Sequence, residues 1–452
     1  MNIFGAIRTR IRNLNPDHHA IFRGMVWVAS FVFLGKLAGA AKEMVIAYRY
    51  GVSNEVDAYL FVFNLIIWPV SIWFSLLNYV LVPLAARIRQ DAPSELPRFR
   101  AELLAFALLL GCNLTLIAWF GLPALLRSSW VGLSASTLTI AIDIAPNMVA
   151  LIPLSILVSL FSAWMLSSGR HANTLLESVP ALTILVALLV LPHDGASPLV
   201  WGTVAGYILH VSSLAGLLAW KGQVETPKFT SRSPHWIIFW QGFGILLAGN
   251  TLMSFITIID QFFAAHFGAG VIATLSYSNR VLALIIGLGA TAVSRATLPV
   301  FSKIKSDESG QLQRVAMLWV RLMFVLGLFA MLISWWLAPW VIKFLFERGA
   351  FTAKNTEAVT EVFRYGLMQL PFYFSCLVLV SLLASRRHHK LIAIGASINL
   401  FVKVGANYAL APVMGVNGII TATAIMYMGS FIMLYYFATT SYKKTAKQRK
   451  NS

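Results

Sequence analysis

The amino-acid sequence predicts an all-α integral membrane protein with about twelve transmembrane helices. Three observations support this fold class: an apolar composition, a series of long apolar windows, and basic residues that concentrate in alternate connecting segments. Of the 452 residues, 58% are hydrophobic and only 12% are charged, whereas soluble globular chains carry about 25% charged residues. So few charges cannot cover a water-soluble surface of this size, and lipid is therefore the expected solvent.

A bilayer core requires about 20 apolar residues per helix. Twelve windows of the sequence meet this length approximately, and we name them span one to span twelve in chain order. The windows lie near residues 25–47, 58–84, 102–125, 138–167, 174–192, 197–220, 236–266, 271–300, 315–345, 357–384, 391–411 and 415–438. Spans one, four and eight are the least uniform, because they contain charged residues or proline.

Basic residues are unequally distributed between the segments that connect the spans, and this distribution indicates which segments face the cytoplasm. With the N-terminus inside, 23 of the 35 Lys and Arg residues fall in the inner segments and only 5 in the outer ones. This asymmetry predicts an inner-membrane protein with both termini in the cytoplasm. It also accounts for the net charge of +18 through contact with anionic membrane lipids, so no nucleic-acid partner is expected. The two cysteines lie in apolar windows and indicate neither a disulfide nor a metal site.

The two halves of the sequence resemble each other at a constant offset. Residues 82–91 at the end of span two match residues 298–307 at the end of span eight at an offset of 216. Gly51 after span one and Gly268 after span seven are 217 residues apart. Six helices per repeat give both halves the same orientation, so we expect two pseudo-symmetric six-helix lobes, residues 1–221 and 222–452, that rock to give alternating access.

Several motifs resemble those of the MurJ/MviN family. Residues 35–43 of span one read Gly-Lys-Leu-Ala-Gly-Ala-Ala-Lys-Glu and are followed by Asp57-Ala58-Tyr59, similar to the family pattern S-R-x-x-G-x-x-R-[DE] and D-A-[FY]. Span eight contains Tyr277-Ser278-Asn279-Arg280, similar to Y-A-x-R, and later Leu298-Pro299. Residues 346–352 resemble the family's F-x-R-G-x-F-T loop. The resemblance covers nearly the whole chain.

The resemblance implies a fold of the multidrug/oligosaccharidyl-lipid/polysaccharide exporter superfamily. It also implies flipping of an undecaprenyl-pyrophosphate-linked glycan, for the cell wall, exopolysaccharide or O-antigen, from the cytoplasmic to the outer leaflet. We expect a monomer, with glycan-assembly proteins as candidate partners. No catalytic motif or cofactor motif stands out, so neither an enzyme nor a cofactor is expected.

Three departures from the family pattern bear on the substrate. Lysines replace family arginines at Lys36 and Lys42, and residues 64–79 of span two contain no Lys or Arg. Family members usually carry two further helices at the C-terminus, whereas twelve spans are expected here. The last two departures favour an exopolysaccharide or O-antigen precursor. Lipid II itself, a cation-coupled drug exporter of the same superfamily and a membrane scaffold remain alternatives.

Basic residues inside the spans are the candidate substrate contacts. Lys36, Lys42 and Arg280 lie within spans one and eight, where a charge is costly unless it faces a cavity or a partner. Fixed cations there would replace the lost hydration of a diphosphate group. Glu43 and Asp57 complete the predicted substrate-binding set, with Glu43 also a candidate ion-pair partner of the lysines.

A second candidate set lies in the second half of the chain. The resemblance implies sodium binding in some family members, through an acid on span seven and an Asn-x-x-x-Asp pair on span eleven. Asp260 and Asn399 fit this pattern, but Lys403 stands at the position of the second acid. We therefore expect an ion or salt-bridge site in which the ammonium group neutralises Asp260.

Overall fold

The computed structural model describes the backbone of residues 16–168, 172–303, 309–386 and 389–450. Side chains are described for residues 30–168, 173, 175–242, 254–291, 293, 313–386 and 391–440. Within these ranges the chain is helical and contains no β-strand, which confirms the all-α prediction. The chain ends, 1–15 and 451–452, lie outside the described residues, so the predicted cytoplasmic location of both termini stays a prediction.

Each of the twelve apolar windows coincides with a helix or with a pair of consecutive helices. The bounds are Pro16–Tyr50 for span one, Asn54–Leu76 for span two, Leu96–Leu126 for span three, Ala135–Val149 with Leu151–Ser167 for span four, Val179–Val190 for span five, Ser197–Ala219 for span six, His235–Ala265 for span seven, Val271–Lys303 for span eight, Ser309–Phe346 for span nine, Ala353–Leu367 with Leu370–Ser385 for span ten, His389–Met414 for span eleven and Val416–Lys450 for span twelve. Span two continues through a π-helical turn, Leu77–Leu81, into the helix Val82–Asp91. Two short helices, Pro93–Glu95 and Ala172–Leu176, precede spans three and five.

Spans four and ten share a sharp bend, as expected of corresponding helices in a repeat. The two helices of span four meet at 46° and those of span ten at 40°. Proline lacks a backbone N–H and clashes with the preceding helical turn. Pro146 lies one turn before the break in span four, and Pro371 is the second residue after the break in span ten. The bends thus agree with the sequence repeat and with the proline that lies near each break.

The described residues group into two compact units, each built from several stretches of the chain. The first unit comprises the described parts of Met1–Ile46, Trp73–Leu116 and Ala150–Trp240, and the second those of Ala47–Ile72, Ile117–Val149 and Gln241–Ser452. The predicted lobes, 1–221 and 222–452, rest on the sequence repeat and stay a prediction.

A buried glutamate anchors the segment that joins the two sequence halves within the first unit. Glu102, near the start of span three, is only 1% exposed. Its carboxylate accepts hydrogen bonds from the Ser233 backbone N–H at 3.0 Å and from Trp236 Nε1 at 2.7 Å. It also accepts from Thr230 Oγ1 at 3.0 Å and forms an ion pair with Arg98 at 3.1 Å. A carboxylate that leaves water requires such donors, and here most of them come from residues 230–236.

Candidate functional site

Lys36 lies on span one within the first unit, and its side chain is exposed. Its charge attracts the carboxylate of Glu177, which lies between the short helix 172–176 and span five. The Glu177 carboxylate also accepts a hydrogen bond from Asn173 Nδ2 at 3.0 Å. The first predicted cation therefore has an acidic neighbour and an exposed side chain.

Lys42 and Glu43 form an ion pair in the same helix. Lys42 Nζ lies 2.6 Å from Glu43 Oε1, and the two side chains are 18% and 11% exposed. For Lys42, the structure thus shows the predicted alternative, an ion pair with an acid. An anionic substrate would have to compete with Glu43 for this ammonium group.

Asp57 caps span eight within the second unit. Its carboxylate accepts hydrogen bonds from the backbone N–H groups of Gly270 at 2.5 Å and Ala273 at 2.7 Å, and the residue is 1% exposed. Free N–H groups at a helix start carry partial positive charge, which a carboxylate stabilises. This geometry favours a positioning role for Asp57; its predicted substrate contact stays a prediction.

Arg280 lies on the face of span eight that begins at this cap. Residues 273, 277 and 280 follow each other at helical spacing, so they share one stripe of the helix. Tyr277 donates a hydrogen bond to the Gly51 carbonyl at 3.0 Å, and Arg280 Nε donates to Ser276 Oγ at 3.4 Å. Arg280 as a residue is half-buried, so the same face carries the cap, a tyrosine anchor and a cation in succession.

The loop that resembles the F-x-R-G-x-F-T motif packs against the end of span one, also within the second unit. The Ala350 backbone N–H donates to the Tyr48 carbonyl at 2.8 Å. Gly51 has a φ of +57°, and a Cβ there would collide with the Ala350 carbonyl. The rings of Phe346 and Phe351 pack on Tyr277 with centroid distances of 5.1 and 5.4 Å. The motif residues therefore hold the end of span one, residues 47–50, against span eight.

Asp260 and Lys403 meet in the second unit as predicted, but Asn399 does not join them. Lys403 Nζ lies 2.8 Å from Asp260 Oδ1. Asn399 instead accepts a hydrogen bond from Ser430 Oγ at 2.6 Å. Asn407 donates to Asp260 Oδ1 at 3.0 Å. The sequence did not single out Asn407; the available signal was its position one turn after Lys403, on the same helical face.

Comparisons with known proteins point to one family. The sequence profile of the family described as "Lipid II flippase MurJ" matches residues 41–450. A "Probable lipid II flippase MurJ" of Helicobacter pylori (strain ATCC 700392 / 26695) is 29% identical over 248 residues, 51% of this chain and 53% of that protein. A "Lipid II flippase MurJ" of Burkholderia cenocepacia is 23% identical over 438 residues, 88% of this chain and 80% of that protein. The match spans about half the length of the Helicobacter relative.

Solved structures agree on the fold. A structure described as "Lipid II flippase MurJ, inward closed conformation" has a TM-score of 0.80 at 20% identity, covering 92% of this chain and 87% of that one. An inward-facing multidrug resistance MATE family transporter of the MOP superfamily has a TM-score of 0.73 at 16% identity, covering 91% and 96%. The predicted superfamily fold is thereby confirmed.

Proposed function

The chain belongs to the lipid II flippase MurJ family, and from this premise we propose that it carries an undecaprenyl-pyrophosphate-linked cell-wall precursor across the membrane. Membership also makes it a multi-pass protein of the bacterial cytoplasmic membrane. The proposed movement runs from the cytoplasmic to the outer leaflet by alternating access. Anionic membrane lipids would contact the basic connecting segments, and the protein would act as a monomer, with glycan-assembly proteins as further candidate partners.

The observation that carries this proposal is the exposed side chain of Lys36 within span one. A lysine within a span is stable only where water, an acid or a substrate meets it. Glu177 attracts this ammonium group, but the Lys36 side chain remains exposed. An anionic pyrophosphate is a chemically matched ligand for it.

Lys42 and Arg280 are two further cations within the spans that could contact the pyrophosphate group. Glu43 holds Lys42 at 2.6 Å, so a phosphate would exchange with this carboxylate and be released when the ion pair forms again. Arg280 presents a planar guanidinium that suits phosphate oxygens. Cations on the spans favour an anionic cargo over the cationic drugs of a multidrug exporter, which would require acidic contacts.

A second candidate cargo is an exopolysaccharide or O-antigen precursor on the same lipid carrier. The observation that favours it is the absence of Lys and Arg from residues 64–79 of span two. Both cargoes share the undecaprenyl-pyrophosphate group, so they differ in the sugar and not in the chemistry that the cations recognise.

Complementation of a bacterial strain depleted of its lipid II flippase tests the proposal. The chain is expected to restore growth, and Lys36→Met and Arg280→Met are each expected to reduce or abolish this rescue at equal membrane abundance. Lys343→Met is the matched control, because its side chain is 64% exposed and its ammonium lies 3.6 Å from Glu347.

The outcomes separate the hypotheses. Full rescue by both Met variants would contradict substrate binding by Lys36 and Arg280. Failure of the wild-type chain in this strain, together with rescue of a strain that lacks an exopolysaccharide or O-antigen flippase, would identify the second cargo. Raised drug resistance without either rescue would indicate the drug exporter.

A further inference from the structure

Lys403 is a fully buried cation whose hydrogen-bonding capacity is completely used. The residue is 0% exposed although its side chain is long and charged. Its Nζ donates to Asp260 Oδ1 at 2.8 Å, to the Ile419 carbonyl at 2.7 Å and to Thr423 Oγ1 at 2.7 Å. An ammonium group has three N–H donors, and each of them has an acceptor here.

The three acceptors come from two spans of the second unit, and the ammonium group comes from a third. Asp260 lies on span seven, Lys403 itself on span eleven, and Ile419 with Thr423 on span twelve. The acceptors are a carboxylate, a main-chain carbonyl and a hydroxyl. These are the oxygen ligands that hard metal cations take in proteins. The ammonium therefore lies at the centre of an oxygen set of the kind that binds a metal cation.

The sodium ion that the family resemblance implies does not fit these residues. The ammonium group already fills the point at which the three oxygens converge. A second cation beside it would face an uncompensated positive charge, because the Asp260 carboxylate is the acid paired with Lys403. Asn407 donates to the same Asp260 oxygen, so two residues of span eleven, Lys403 and Asn407, hold this carboxylate.

We infer that Lys403 is a tethered cation that takes the place of a metal ion in the second unit. A cation that is covalently part of span eleven cannot exchange with either side of the membrane. The charge of Asp260 is thus balanced without an external ion, and this cluster cannot couple transport to a sodium gradient. The statement that this cluster cannot couple transport to sodium rests on the proposed function. The statement that Lys403 takes the place of a metal ion in the folded protein does not.

Thermal unfolding of the purified full-length chain in detergent micelles tests the inference. Tm is measured in sodium chloride and in choline chloride at equal ionic strength. The wild-type chain is expected to unfold at the same temperature in both salts. Lys403→Ala leaves the oxygen set without its cation, so Tm is expected to fall in choline chloride and to recover by several degrees in sodium chloride.

Two controls make the result specific. Asp260→Asn in the Lys403→Ala background removes the charged ligand and is expected to abolish the recovery by sodium. Lys343→Ala removes an exposed ammonium and is expected to show no difference between the salts. If Lys403→Ala does not yield folded protein, Lys403→Asp supplies a carboxylate in place of the ammonium and is expected to show the same sodium-dependent rise in Tm.

Two results would overturn the inference: a higher Tm of the wild-type chain in sodium chloride than in choline chloride, or indifference to sodium in the folded Lys403 variant. Neither measurement involves the lipid substrate. Failure of the tethered-cation inference is therefore distinguishable from failure of the flippase proposal, which complementation measures.

Discussion

Replacing Glu102 by alanine is expected to release the segment that joins the two halves of the sequence. The substitution leaves the buried Ser233 N–H and Trp236 Nε1 without the acceptor they have at 3.0 and 2.7 Å. An unsatisfied buried donor costs about 1–3 kcal/mol. The half-exposed Arg98 partner adds less than about 1 kcal/mol, because solvent screens such a pair. With two such donors, the free energy of unfolding is therefore expected to fall by about 2–6 kcal/mol.

Denaturant unfolding in detergent micelles measures this change, and tryptic cleavage provides a local readout. Lys228 and Arg232 lie in the anchored segment with exposed side chains. The Lys228 backbone N–H is held by the Ala101 carbonyl at 3.0 Å, and that of Arg232 by Glu102 at 3.3 Å. Cleavage at both residues is expected to be faster in Glu102→Ala.

Glu95→Ala is the matched control for this prediction. Glu95 lies just before span three and pairs with His235 at 2.7 Å, but its side chain is 46% exposed. Its loss is expected to cost less than about 1 kcal/mol. A Glu102→Ala protein that loses no more stability than Glu95→Ala, and is cut by trypsin no faster than wild type, would refute the reasoning.

Three further substitutions are expected to act on the second unit, each measured as a change in the free energy of unfolding. Gly51→Ala places a Cβ against the Ala350 carbonyl at a φ of +57° and is expected to cost about 1–3 kcal/mol, whereas Gly216→Ala, which meets nothing within 4 Å, is expected to be neutral or stabilising. Asp57→Ala removes the cap of span eight and is expected to cost about 2 kcal/mol; equal stability of Asp57→Ala and wild type would contradict the capping role. Lys403→Met leaves Asp260 as a buried unpaired acid and is expected to cost about 3–5 kcal/mol; adding Asp260→Asn should recover part of this loss, and strictly additive effects would contradict the ion pair.

Much of the fold was predictable because the bilayer imposes one simple requirement on the sequence. An apolar segment in lipid must be helical, so each of the twelve windows coincides with a helix or with a pair of consecutive helices. The family resemblance also rested on local motifs, and the profile match over residues 41–450 confirms the family. The Asp260–Lys403 contact followed from the family resemblance, which placed both residues in one candidate ion site, and from their opposite charges.

The partners of individual polar groups were not predictable in the same way. The sequence placed Asn399 beside Asp260, whereas Asn407 donates to it; the two asparagines lie eight residues, or about 12 Å of helix, apart. Glu102 attracted no notice, although its carboxylate anchors residues 230–236. The capping of span eight by the Asp57 carboxylate was likewise not visible in the sequence.

The sequence by itself determined that this protein is a multi-span membrane protein of the flippase family, with cations within its spans. Only the tertiary structure decided which oxygen or nitrogen each of these charges meets. The physical reason is that transfer into lipid depends on residues close together in the sequence, whereas a hydrogen bond depends on distances in space. Transfer into lipid depends on the summed hydrophobicity of about 20 neighbouring residues, which can be read from the sequence. A hydrogen bond forms only when donor and acceptor approach within about 3 Å, and helices distant in sequence set that distance.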